Sequence, residues 1–195
     1  YQNHKLLLKN IEDNELKNVK VFKIAISSKE GKAFINTFDE NITGNYGDCK
    51  IFSSNFKNSE IVPVKTLDQL FYEDIKEKKS IKLIKCDTQG QELNIIQGSE
   101  KIIHKYKPYL YLENDDINTS KALIEKIKHM GYILFWHLPP LYNPDNFLKN
   151  TKNIFPKIIS CNMICIHRST KITLNKIWKK FEIEDSNYHP LKKIK

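Results

Sequence analysis

Two carboxylates in this chain close runs of strand-forming residues: Asp87 ends the run 81–87, and Glu113 ends the run 109–113. Ligands of open α/β sheets bind beyond the carboxyl ends of the strands, so these are the first positions at which chemistry is expected. Alternation along 81–87 puts Leu83, Lys85 and Asp87 on one face, and Lys82, Ile84 and Cys86 on the other. A lysine two residues before a strand-end aspartate calls for a carboxylate partner, because an unpaired buried ammonium costs several kcal/mol; Asp87 and Glu113 are the near candidates. Two plainer readings stay open: Lys85 snorkels out at the strand end, and Asp87 is a charge favoured by the dipole of the helix that follows. His137 closes a third apolar run, where a lone histidine is either structural, solvated or part of the site.

The elements that must position these groups are clearest around them. Residues 90–106 read as a helix interrupted near Gly98-Ser99, and 120–130 as a helix stopped by Gly131. Strand, helix, strand, helix at this spacing implies crossover connections and a parallel sheet, with 81–87 beside 109–113. Upstream, 4–14 carries Leu7, Leu8 and Ile11 at helical spacing, 19–27 alternates as a strand, and 33–38 reads as an antiparallel strand after a turn at 28–31. The polar stretch 39–60 is expected to be a long loop or lid. Residues 61–65 form a short strand, and Thr66 with Gln69 makes a capping box for a helix to about Lys76. Downstream come a strand over 132–136, a loop over 139–155 and a last strand over 160–168. Leu174, Ile177, Trp178 and Phe181 then mark a terminal amphipathic helix, followed by a lysine-rich tail expected to fray.

Composition bounds the function. At 195 residues and 40% hydrophobic, the chain is read as one globular domain. The net charge of +9 is almost all lysine, Arg168 being the only arginine, and it is spread along the chain. That argues against a nucleic-acid reader, which leans on arginine forks and clustered basic and aromatic residues. A solvated lysine surface is the plain reading, with attraction to an anionic substrate or membrane surface as the alternatives. Cys49, Cys86, Cys161 and Cys165 show no C-x-x-C spacing, so no metal is expected, and Cys161, Met163 and Cys165 read as core. No apolar run reaches the roughly 18 residues of a membrane span and no leader opens the chain, which predicts a cytoplasmic protein without a transmembrane segment. The sequons at Asn41 and Asn118 are then incidental. Asn146 and Asn162 stand in apolar surroundings, where satisfying loop backbone groups competes with a role in the site.

The run Ile84-Lys-Cys-Asp-Thr-Gln-Gly-Gln-Glu92, then Ile96-Gln-Gly-Ser99, Lys107-Pro108 and the strand ending in Glu113, resembles the central signature of FkbM-type methyltransferases. That signature reads roughly I-K-I-D-V-E-G-x-E, V-L-x-G-A and K-P. Asn18-Val-Lys-Val21, Ala25-Ile-Ser27, Asn45-Tyr-Gly47, Thr66-Leu-Asp68, Trp136-His137, Asn143, Asn146, Phe147 and Asn162 resemble further family segments in order, from about residue 5 to 168. The resemblance implies a Rossmann-like class I methyltransferase fold: α/β, with a mostly parallel sheet and helices on both faces over 1–170, and the helix and tail over 171–195. It implies S-adenosylmethionine as cofactor and a hydroxyl of a sugar, glycan or polyketide-like molecule as acceptor. Asp87 becomes the expected base or acceptor-orienting group, with Glu113 its partner, Lys85 balancing charge and His137 near the acceptor. Ala25, Ile26, Ser27, Asp87 and Gly90 are the expected cofactor contacts.

Two departures shape that expectation. Gln89 stands where the family has glutamate, and neither a D-x-G-x-x-x-G loop nor a following strand ending in Glu-Pro occurs in these 195 residues. Glycine lets backbone approach a cofactor closely and the strand-end acid binds ribose hydroxyls, so weak cofactor binding is expected of the chain, read as an N-terminally truncated and by itself inactive enzyme. The competing reading is a non-catalytic, degenerate Rossmann-like module that binds a protein or an anionic glycan. The oligomeric state is left open.

Overall fold

The computed structural model describes residues 2–36, 51–55, 57, 59–75 and 80–193, so most of the stretch read as a lid lies outside the described residues. After helix α1 (Gln2–Asp13), the chain builds a first sheet from β1 (Ala25–Ile26), β2 (Gly31–Asn36), β3 (Ile51–Phe52) and β4 (Ser59–Lys65). Its order is β1-β4-β2-β3, with β1 and β4 parallel and the other pairs antiparallel. The strand read over 19–27 pairs only at its end, through Ala25 and Ile26. Ala33, Val62 and Val64 are its only fully covered apolar residues, a core too small to hold the sheet alone.

Thr66 then caps α2 (Leu67–Gln69) as its sequence predicts: the Gln69 N–H donates to Thr66 Oγ1 and the Thr66 N–H to Gln69 Oε1, each at 3.1 Å. The helix does not continue as an α-helix towards Lys76, however, but widens into a π-helical turn over Leu70–Ile75. The second sheet contains β5 (Leu83–Cys86), β6 (Tyr109–Glu113), β7 (Tyr132–His137) and β8 (Asn162–His167), in the order β5-β6-β8-β7. β5 and β6 run parallel across the expected crossover, whereas β8 enters between β6 and β7 antiparallel to both. The sheets are therefore mixed rather than mostly parallel. The physical reason is the connection from β7 to β8: it returns as a ribbon, bridged at Pro140 and Ile159, instead of crossing over through a helix.

The helices divide unequally between the two faces of this sheet. α3 (Glu92–Gln97), α4 (Glu100–Tyr106) and α5 (Ile117–His129) share one core with the inward residues of the second sheet, among them Ile84, Leu110, Leu112, Leu134 and Met163. Among the described residues the opposite face meets the single turn α6 (Lys176–Lys179), whose Trp178 meets Phe135 edge-on at 5.5 Å. The terminal amphipathic helix is thus one turn, and the tail does not fray up to residue 193. Glu182 bridges to Phe135, the Ile183 N–H donates to Leu134 O at 2.8 Å, and His189 is buried, its Nε2 donating to Asn114 O at 2.9 Å. Lysine-rich composition hid the two residues that dock it, Ile183 and His189.

The predicted break at Gly98-Ser99 joins the two halves of the molecule. A Cβ on Gly98 would sit 2.2 Å from the Ser27 carbonyl oxygen, so only glycine lets the α3–α4 junction close on the end of β1. Asp68 completes the tie by accepting from the Lys101 and Ile102 N–H groups at 3.0 and 2.9 Å, capping α4 from a distant part of the chain.

Candidate functional site

Strand register assembles the site. Cys86 lies opposite Leu112, so Asp87 and Glu113 are the next step at the carboxyl ends of β5 and β6. Glu113 is paired with Asn162, and Asn162 with His137. Asp87, Glu113, Asn162 and His137 therefore form one row across all four strands, on the face that α3–α5 leave open. One pleat back, Lys85 pairs with Tyr111. The Lys85 ammonium donates to Asp87 Oδ2 at 2.7 Å, both side chains being about half exposed. Lys85 is thus on the open face, with Asp87, one of its two candidate carboxylates, as its partner. Tyr111 reaches diagonally to His137, with its hydroxyl 3.0 Å from Nδ1; the histidine tautomer decides which group donates.

Burial pushes the Glu113 carboxyl up to about 7, helped by the charges of Asp115, Asp87 and Glu92 and by a hydrogen bond shared with Asp87. Its Oε2 is buried with no partner among the described residues when the group is ionised. A protonated Glu113 carboxyl accounts for both facts. The loop that presents Asp87 is held by Glu92, a buried carboxylate accepting from the Thr88 N–H and hydroxyl, each at 2.9 Å. Between them, Gln89 and Gly90 turn the chain at φ 49° and 86°. Sequence reasoning passed over Glu92 and Tyr111. Both left a signal: a carboxylate four residues after a threonine at a helix start, and a hydroxyl one pleat before Glu113.

Two cavities flank the row. One of about 510 Å³ lies between β1 and β5, each the edge strand of its sheet, with Ala25 and Ile26 on one wall and Ile84 to Asp87 on the other. Ser27 and Gly90, expected with them, do not line it: Ser27 is packed on Gly98 and donates to Lys65 O, and Gly90 makes the turn. The second, of about 390 Å³, is bounded by His137, Leu138, Pro139, Ile164, Ile177, Trp178 and Phe181. Asp87 thus opens on the first cavity and His137 on the second, while Glu113 and the buried Asn162, which donates to Ser160 Oγ at 2.7 Å, stand between. Asn146 is outside the row, in the β7–β8 loop.

The chemistry available here is proton transfer and cation binding. Apolar walls in the first cavity suit a flat heteroaromatic ring, and Asp87 offers its only carboxylate among the lining residues. Burial pushes the Cys86 and Cys161 thiols up to about 12, so neither is a ready nucleophile. Among the described residues no cluster of His, Cys, Asp or Glu is arranged to hold a metal ion, and no helix is long and apolar enough to cross a membrane.

Compared with known proteins, residues 4–134 match the family model of the methyltransferase FkbM domain. Among solved structures, the chain is similar to a methyltransferase FkbM from Methylobacillus flagellatus KT, at 14% identity and a TM-score of 0.49, over 84% of this chain. It spans 33% of that protein's chain. No curated protein matches it.

Proposed function

Because the chain belongs to the FkbM methyltransferase family, we propose that it carries the acceptor-activating side of an S-adenosylmethionine-dependent O-methyltransferase. The observation that carries this reading is the adjacency of Asp87 and Glu113 at the carboxyl ends of parallel strands, beside a cavity with apolar walls.

The cavity between β1 and β5 fits the adenine and the cationic centre of that cofactor. Ala25 and Ile26 would flank the ring and Asp87 would face the positive charge. A second carboxylate for the ribose and a glycine-rich approach are not among the lining residues, so the fit is partial. When bound, the cofactor supplies an already activated methyl group. What falls to the protein is alignment of the acceptor oxygen and removal of its proton.

Asp87, held by its loop and by Lys85, accepts that proton from an acceptor hydroxyl. Taking the proton neutralises Asp87 and relieves its repulsion with the Glu113 carboxyl beside it. Tyr111 and His137 orient the acceptor from the side of the second cavity. A positioned base of this kind contributes about 10² to 10⁴-fold. The acceptor class is a hydroxyl-bearing sugar, glycan or polyketide-like molecule. The test is calorimetry with S-adenosylmethionine on the chain joined to the family's N-terminal glycine-rich segment, followed by detection of S-adenosylhomocysteine release over a panel of hydroxylated acceptors. Release with at least one acceptor supports the reading. Neither cofactor binding nor release would favour the non-catalytic module, a reading that draws on Gln89.

A further inference from the structure

The ribbon between β7 and β8 ends in a loop that the reaction does not use. Pro140 bridges Ile159, the Leu141 N–H donates to Ile158 O at 3.1 Å, and the Ser160 N–H to Pro139 O at 2.9 Å, so 139–141 and 158–160 form a neck that extends the sheet beyond His137 and Asn162. At the tip, asparagines do the bracing. Asn146 Nδ2 donates to Asn143 O and to Asn150 O, at 3.1 and 2.7 Å, while the Asn150 N–H donates back to Asn146 Oδ1 at 2.9 Å. The Tyr142 hydroxyl adds a bond to Asn150 O at 3.0 Å. This closed ring holds Phe147 and Leu148 outward, 96% and 83% exposed.

Large apolar side chains at a tip normally fold back onto the nearest apolar surface, and Leu141, Ile154 and Ile158 offer one close along the chain. The brace prevents it. Around the tip, Lys149, Lys152 and Lys157 outnumber Asp145, the only acid between 139 and 158, and none of the three is ion-paired among the described residues.

We infer that this loop is a membrane-surface anchor, in which Phe147 and Leu148 enter the interfacial region of an anionic bilayer and the lysines meet its headgroups. A convex apolar pair needs a deformable apolar phase, and the lysine collar matches a negative surface. Since the neck continues the end of the sheet that carries the polar row, docking sets that end towards the bilayer.

Co-sedimentation with vesicles tests it directly, using equal parts phosphatidylcholine and phosphatidylserine against phosphatidylcholine alone. The protein is expected to bind the mixed vesicles in a salt-sensitive way. The double substitution Phe147→Ser, Leu148→Ser is expected to lower that binding by about tenfold or more, with an unchanged melting temperature because both residues are exposed. A Phe147→Trp variant should show additional quenching by brominated phosphatidylcholine in the mixed vesicles. Equal binding by the double variant, equal binding to phosphatidylcholine alone, or no binding at all overturns the inference. So does a dimer in size-exclusion chromatography that disappears on the double substitution without any vesicle binding, which would assign the tip to a contact between copies.

Discussion

The two faces of the second sheet are made by the same strands, and they do opposite things. On the face under α3–α5, Leu110, Leu112 and Met163 are fully buried, and the core they join is built of hydrophobic side chains. On the other, Lys85, Asp87, Tyr111, Glu113 and His137 are exposed or only half-buried and bond chiefly to one another. Period-two alternation therefore divides stability from chemistry at each residue step. The chemical face can afford carboxylates that repel one another because the covered face supplies the burial.

That division is broken most severely from the covered side. Leu112→Ala is expected to cost about 2–5 kcal/mol, read as a lower denaturant midpoint. Its neighbour Tyr111→Phe should leave the midpoint within about 0.5 kcal/mol while disturbing His137. Equal destabilisation by the two would erase the distinction between the faces. Gly98→Ala comes next: its Cβ meets backbone, which cannot swing away, so a loss of about 1–3 kcal/mol is expected in thermal melts. An unaltered melt would mean that the junction on Ser27 is not tight.

Glu113 sharpens the comparison through pH. A carboxyl raised to about 7 in the folded protein contributes stability that is complete below its unfolded value near 4.5 and is lost as pH rises through about 7. Stability should therefore fall across that window, and Glu113→Gln should flatten the fall. Above pH 7 the variant should be the more stable by roughly 1 kcal/mol, less than the full shift implies because the group is partly solvated. Parallel pH profiles for the two proteins would contradict a raised Glu113 carboxyl.

How much of this was legible in the sequence depended on how local the cause was. The Thr66–Gln69 capping box, the break at Gly98-Ser99 and the strand ends at Asp87 and Glu113 each follow from a few adjacent residues, and each appears in the structure. β8 could not be placed the same way, since its insertion between β6 and β7 is decided by a return ribbon whose bridge joins residues 19 positions apart, Pro140 and Ile159. The docked tail was hidden similarly: Ile183 and His189 find their partners at Leu134 and Asn114, and nothing in the surrounding lysines announces it. In the site, the sequence left Lys85 between two candidate carboxylates and an outward course; on β5, the edge of the second sheet, it is half exposed and pairs with Asp87.

The central claim is that Asp87 takes the proton of the acceptor hydroxyl, and Asp87→Asn in the methyl-transfer assay, on the chain joined to the family's N-terminal glycine-rich segment, tests it most directly. The substitution keeps the size and the loop's hydrogen bonds to Glu92, but removes the basic oxygen. Turnover is predicted to fall by about 10² to 10⁴-fold, with S-adenosylmethionine affinity changing far less in calorimetry. Unchanged turnover would contradict the account and remove Asp87 from the reaction.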